Sequence, residues 1–156
     1  TNTMYFPLRN MCQRLLATTS PDASHRIYAL AVRHQLAPGT EQLGAVYAVS
    51  AETGETTWLY EQRAATLSLV ATGGGLVFGG DANGRFRAFD HQTGEVLWEI
   101  NLGSPVSGFP VTYAVDGRQY VVAGTGTGGN ATRWSAMTPE LRPSSGSNIF
   151  VFALPD

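Results

Sequence analysis

The chain has 156 residues, a length that suits one domain with a buried core. Ten basic against twelve acidic residues give a net charge of −2 with no basic stripe, which argues against a nucleic-acid footprint. Eighteen Gly, eight Pro and 14 % charged residues point to β structure; the single Cys12 leaves no internal disulfide or multi-cysteine zinc site, and no apolar run is long enough for a membrane span.

At the start, "TNTMYFPL" (1–8) already reads as a strand, without the basic and apolar regions of a signal peptide, so the chain is expected to begin in mid-fold. Residues 9–43 follow as a long insertion. "GAVYAVSAETGETTW" (44–58) then gives strand, turn and strand. Four more strands come in close succession: "ATLSLVA" (65–71), "GLVFGG" (75–80), "RFRAFD" (85–90) and "VLWEINL" (96–102). Between the second and third lies Asp81-Ala-Asn83-Gly84, whose Asn-Gly pair tolerates positive φ. "RFRAFD" alternates Phe86, Ala88 and Asp90 against Arg85, Arg87 and Phe89, and no window has a strong helical period. "GRQYVVAG" (117–124) copies the second of these strands, residues 125–147 form a second insertion, and "FVFALPD" (150–156) copies the third.

These strands belong to one internal repeat. Residues 44–58 and 84–98 align without gaps, with Gly44/Gly84, Ala48/Ala88, Thr53/Thr93, Gly54/Gly94, Glu55/Glu95 and Trp58/Trp98 identical. The offset matches the period of about 40–45 residues of a four-stranded propeller blade. The chain therefore reads as all-β: a partial propeller of about two to three blades, one complete between two remnants. An open arc exposes sheet edges and cannot close a ring, so a larger propeller is expected around it. A self-contained β-sandwich is the competing architecture.

"YVVAGTGTGGNATRW" (120–134) contains G-x-G-x-x-G directly after a strand, the pattern of a dinucleotide-binding turn. That turn must open a helix inside a βαβ unit. Here a polar stretch broken by Pro139 and Pro143 follows, and the preceding strand belongs to an antiparallel repeat. The glycines instead suit a flexible strand exit that lets backbone approach a central ligand.

The repeated A-x-[DS]-x-x-T-G-E-x-x-W resembles the tryptophan-docking motif of pyrroloquinoline quinone (PQQ) dehydrogenases. "SLVATGGGLVFGGDANGRFRAFDHQTGEVLWEINLGSPVSGFPVTYAVDGRQYVVAGTGTGG" is similar in order and wording to the last blades of the family's alcohol and methanol dehydrogenases, and "SGSNIFVFALPD" to its C-terminal strand. The resemblance implies a periplasmic, eight-bladed propeller holding PQQ and a calcium ion in a central funnel. An aspartate there acts as base on an alcohol, whose hydride passes to the quinone. Residues 1–156 would be C-terminal blades, with the catalytic aspartate and the calcium ligands outside them. No Asp or Glu of this chain matches those motifs, so none is assigned, and the chain alone is expected to be inactive. Its partners would be the rest of the propeller, the alcohol and an external electron acceptor such as a cytochrome c. Thr66 aligns with a family aromatic that contacts PQQ, a departure from the pattern. Asn130, after Gly126-Thr-Gly128-Gly129, aligns with a second contact, so Thr66, Gly129 and Asn130 are the cofactor-facing candidates. The alternative is a non-enzymatic propeller scaffold for protein–protein interaction built from the same repeats.

Trp58 and Trp98 hold matched places on the repeat's last strand, where large aromatics pack one blade on the next. Trp134 has no repeat partner: it lines substrate access or anchors its own insertion. Both insertions join second to third strands, so they should emerge on one face and shape entry to the funnel. His25, His34 and His91 fall in two loops and a turn without acidic or histidine partners. Asp22 and Glu41 read as solvated loop charges, and Arg133, Glu140 and Arg142 as a polar rim. Cys12 is a free core thiol or half of a bond to a segment outside the chain.

Overall fold

The computed structural model describes residues 2–17, 30–128, 134 and 136–154. The strands in chain order are β1 (Thr3–Arg9), β2 (Met11–Ala17), β3 (Leu30–Leu36), β4 (Gly44–Ser50), β5 (Thr56–Gln62), β6 (Thr66–Ala71), β7 (Leu76–Asp81), β8 (Arg85–Asp90), β9 (Val96–Asn101), β10 (Val111–Val115), β11 (Arg118–Gly124) and β12 (Ile149–Ala153). Every pairing is antiparallel. The sheets are ordered β1-β4-β5, β6-β7-β8-β9 and β10-β11-β12, with β2-β3 as a separate hairpin. A complete blade thus stands between two partial ones, and the all-β propeller architecture read from the repeat is what the chain adopts.

The two copies of the repeat share their irregularities as well as their letters. Each has a register shift one step before the turn, between Ala48 and Val49 in β4 and between Ala88 and Phe89 in β8. Ala48 faces Trp58 across its ladder, and Ala88 faces Trp98, so a small residue makes room for each indole. The turns close alike. Gly54 N–H donates to Ser50 O and Gly94 N–H to Asp90 O, and both glycines take φ +74°, where a β-carbon is disfavoured. The residue heading each turn caps it, with Ser50 Oγ accepting from Thr53 N–H and Asp90 Oδ1 from Gln92 and Thr93 N–H.

Because the middle sheet is covered on both faces, β8 is almost entirely buried rather than alternating. One apolar cluster joins the first and second sheets through Val46, Ala48, Trp58, Val77 and Phe89. Another joins the second and third through Phe86, Val106, Val121 and Ala123. Trp58 spans the first interface. Its Nε1 donates to His91 O at 3.0 Å, and Gly94 lies so close beneath it that an added β-carbon would stand 2.6 Å from the ring. Trp98 is 38 % exposed, with Phe86 and Phe152 edge-on to its ring.

The first insertion differs from a plain loop: it carries the β2–β3 hairpin. His34 accordingly lies on a strand, with Nε2 3.2 Å from Gln13 Nε2. The hairpin has Leu15 and Val32 exposed and pairs Arg14 directly with Arg33, so no clean polar–apolar alternation marks it. His91 sits in its turn, as expected, with Nδ1 2.9 Å from Gly75 O. Cys12 is a free thiol on β2.

Candidate functional site

In an antiparallel blade, the links between second and third strands and between successive blades lie at one end of the strands. Both insertions therefore rise from the same end as the β5–β6 and β9–β10 links, and there they meet. The first is closed at its base by Asn10 N–H donating to Leu43 O and Ala37 N–H to Asn10 O. The second is closed by Thr125 N–H donating to Asn148 O, and it is tied down on the β9–β10 link by Gly126 N–H to Pro105 O and Ser144 N–H to Gly103 O.

Between them lies a small shared core of Leu43, Ala65, Trp134 and Met137, flanked by Met11, Leu36, Leu67 and Ala82. Trp134 is only 7 % exposed, and the Arg9 guanidinium covers its ring at 4.3 Å. Partial burial pushes the Arg9 pKa down. Trp134 is thus packed inside the cap formed by the two insertions, its carbonyl accepting from Met137 N–H, Thr138 N–H and Thr138 Oγ1.

Beside the cap runs a polar network across the interface of the first two sheets. Gln62 Nε2 donates to Thr66 Oγ1 at 3.0 Å, and Gln62 Oε1 accepts from Arg87 Nη1 at 2.6 Å. Arg87 Nη1 also donates to Asp81 Oδ2 at 2.8 Å, and Arg87 Nε to Glu99 Oε2 at 2.6 Å. Arg85 completes the set on the other oxygen of Glu99. Asp81 is 1 % exposed, and its second oxygen receives the N–H groups of Asn83 and Arg85. Burial would lower the Arg87 pKa, but the hydrogen bond and charge of Asp81, with Tyr60 and Glu99, hold it above its ordinary value. Gln62, Asp81, Arg85, Arg87 and Glu99, with Arg63 and Leu141, line a polar cleft of about 260 Å³.

The candidates fare differently. Thr66 is 2 % exposed, its hydroxyl is engaged by Gln62, and a β-carbon on Gly44 would stand 2.9 Å from it. Gly129 and Asn130 lie outside the described residues, as do Asp22, His25 and Arg133. No three His, Cys, Asp or Glu side chains converge among the described residues. No quinone or calcium contact is assigned among the described residues. Sequence reasoning passed over Arg63, which ties both insertions together. An arginine beside two alanines in a link carries no motif, and only the meeting of distant insertions gives it partners.

The family model described as "Glucose/ethanol/alcohol dehydrogenase, beta-propeller domain" (PQQ) matches residues 62–121. The quinoprotein ethanol dehydrogenase of Pseudomonas putida is 35 % identical over 118 residues, 74 % of this chain and 19 % of its own length. Methanol dehydrogenase [cytochrome c] subunit 1 of Methylorubrum extorquens is 40 % identical over 90 residues, 57 % of this chain and 14 % of its own. Among solved structures, a europium-containing methanol dehydrogenase superposes on 97 % of this chain with a TM-score of 0.80 and 26 % identity, the match covering 31 % of that protein. The chain thus spans about a fifth of the length of the ethanol dehydrogenase it matches. The quinoprotein dehydrogenase relatives agree with the family read from the repeated motif. No helix among the described residues is long and apolar enough to cross a membrane.

Proposed function

We propose that this chain forms C-terminal blades of a quinoprotein that oxidises an alcohol, and that the two insertions line entry to its funnel. The observation that carries the reading is the superposition on a methanol dehydrogenase over nearly the whole chain. PQQ, when bound, supplies the acceptor for the alcohol's hydride, with calcium beside it. Neither the catalytic base nor the calcium ligands are assigned to this chain. Its own residues do three things. Trp58 docks the first blade on the second through Gly94 and His91 O. The Gln62–Arg87–Asp81 network holds the start of β6 and the end of β7 in register. The cap around Trp134 packs the insertions against that end of the blades and excludes water from their shared core. Gly129 and Asn130 are the proposed cofactor contacts. The periplasm and a cytochrome c acceptor complete the proposal.

The test is reconstitution of the complete protein with PQQ and Ca²⁺, following dye reduction with a panel of primary and secondary alcohols. Alcohol-dependent reduction together with PQQ absorbance is expected. A protein that takes up no PQQ and reduces no dye with any alcohol would be a propeller scaffold instead.

A further inference from the structure

Arg63 lies in the short link between β5 and β6, yet its hydrogen bonds go to the two insertions. Nε and Nη2 fork onto the Glu140 carboxylate at 2.6 and 3.3 Å, Nη2 also donates to Met137 O at 2.9 Å, and Nη1 donates to Glu41 O at 2.9 Å. Glu41 belongs to the first insertion, Met137 and Glu140 to the second. A planar guanidinium can serve a carboxylate and two carbonyls in fixed directions, whereas an ammonium concentrates its donors on one atom. The shared apolar core is small and non-directional. It holds the insertions together without fixing their register, and the directional bonds converge on Arg63. The side chain is about one-third exposed, so the ion pair by itself contributes little. The carbonyl bonds supply the geometry.

We infer that Arg63 is a positioning residue that locks the two insertions into one cap, so that they move as a unit on the blade end. The effect on substrate entry rests on the quinoprotein reading; the mechanical coupling does not.

Hydrogen exchange on the complete protein separates the two. Arg63→Lys keeps the charge and removes the fork. It should speed exchange by about tenfold in peptides from both insertions, residues 37–43 and 136–141. Glu140→Gln keeps the bonds from Arg63 to Met137 O and Glu41 O and should leave 37–43 within about twofold of wild type. Faster exchange in one insertion only with Arg63→Lys, or in neither, overturns the coupling. In the reconstituted enzyme, Arg63→Lys should raise KM for a bulky alcohol about fivefold while kcat stays within about twofold. A parallel fall in kcat and kcat/KM would overturn the entry role. A protein without PQQ activity sinks the functional reading and leaves the exchange result standing.

Discussion

Arg87 shows how much depends on one buried charge. It touches Gln62, Asp81 and Glu99, and Asp81 has no exposure with which to recover solvent. Removing one member of such a pair leaves a desolvated charge, which typically costs about 3–5 kcal/mol. Arg87→Ala should lower the unfolding free energy of the complete protein by that amount in urea titration, while Arg85→Ala, on the more exposed arginine, should cost under about 1 kcal/mol. Asp90 gives the pH dependence. The backbone N–H groups of Thr93 and Gln92 hold its pKa below the ordinary carboxylate value. Its contribution is therefore complete above the unfolded pKa and disappears as the pH falls through the lower folded one. Ser50 caps the matching turn without titrating, so Asp90→Ser should keep the turn and flatten the acid limb. Urea midpoints at pH 7 and pH 3 check this. Arg85 and Arg87 were legible only as polar members of an alternating strand, because their partners come from other strands.

At the scale of elements, the repeat made the fold legible. Its turns, its indole–alanine pairs and the strands of the complete blade lie where the sequence pattern puts them, since each depends on residues within one blade. Matched glycines nonetheless have unequal roles. Gly54 and Gly94 share the same φ, but a β-carbon at Gly54 meets nothing within 4 Å, whereas at Gly94 it would run into Trp58. Gly54→Ala should cost only the backbone penalty of about 1–2 kcal/mol. Gly94→Ala should cost more, with Trp58 displaced from His91 O. Thermal midpoints and near-ultraviolet circular dichroism of the two variants decide it. The β2–β3 hairpin was not legible, because its exposed Leu15 and Val32 and its opposed arginines give no period. Trp134 was legible as unusual, but its burial depends on Leu43 and Ala65, which lie far away in the chain.

For the whole molecule, the two insertions and the link between the first two blades act as one assembly. Removing residues 126–146 should expose Leu43, Ala65 and Met11 together, and replacing residues 11–42 with a tight turn should strip Trp134 of its cover. If the complete protein is the proposed quinoprotein, either deletion should shift its preference among alcohols, and an unchanged ranking of kcat/KM would sink the idea that the insertions shape entry. The three tryptophans carry a different consequence. Trp58 and Trp134 are shut away from solvent, and Trp98 alone stands half open against Phe152. The chain therefore carries one solvent-reporting tryptophan beside two silent ones. Acrylamide should quench Trp98 preferentially, and the loss of that quenchable emission would report, in real time, whatever covers its ring.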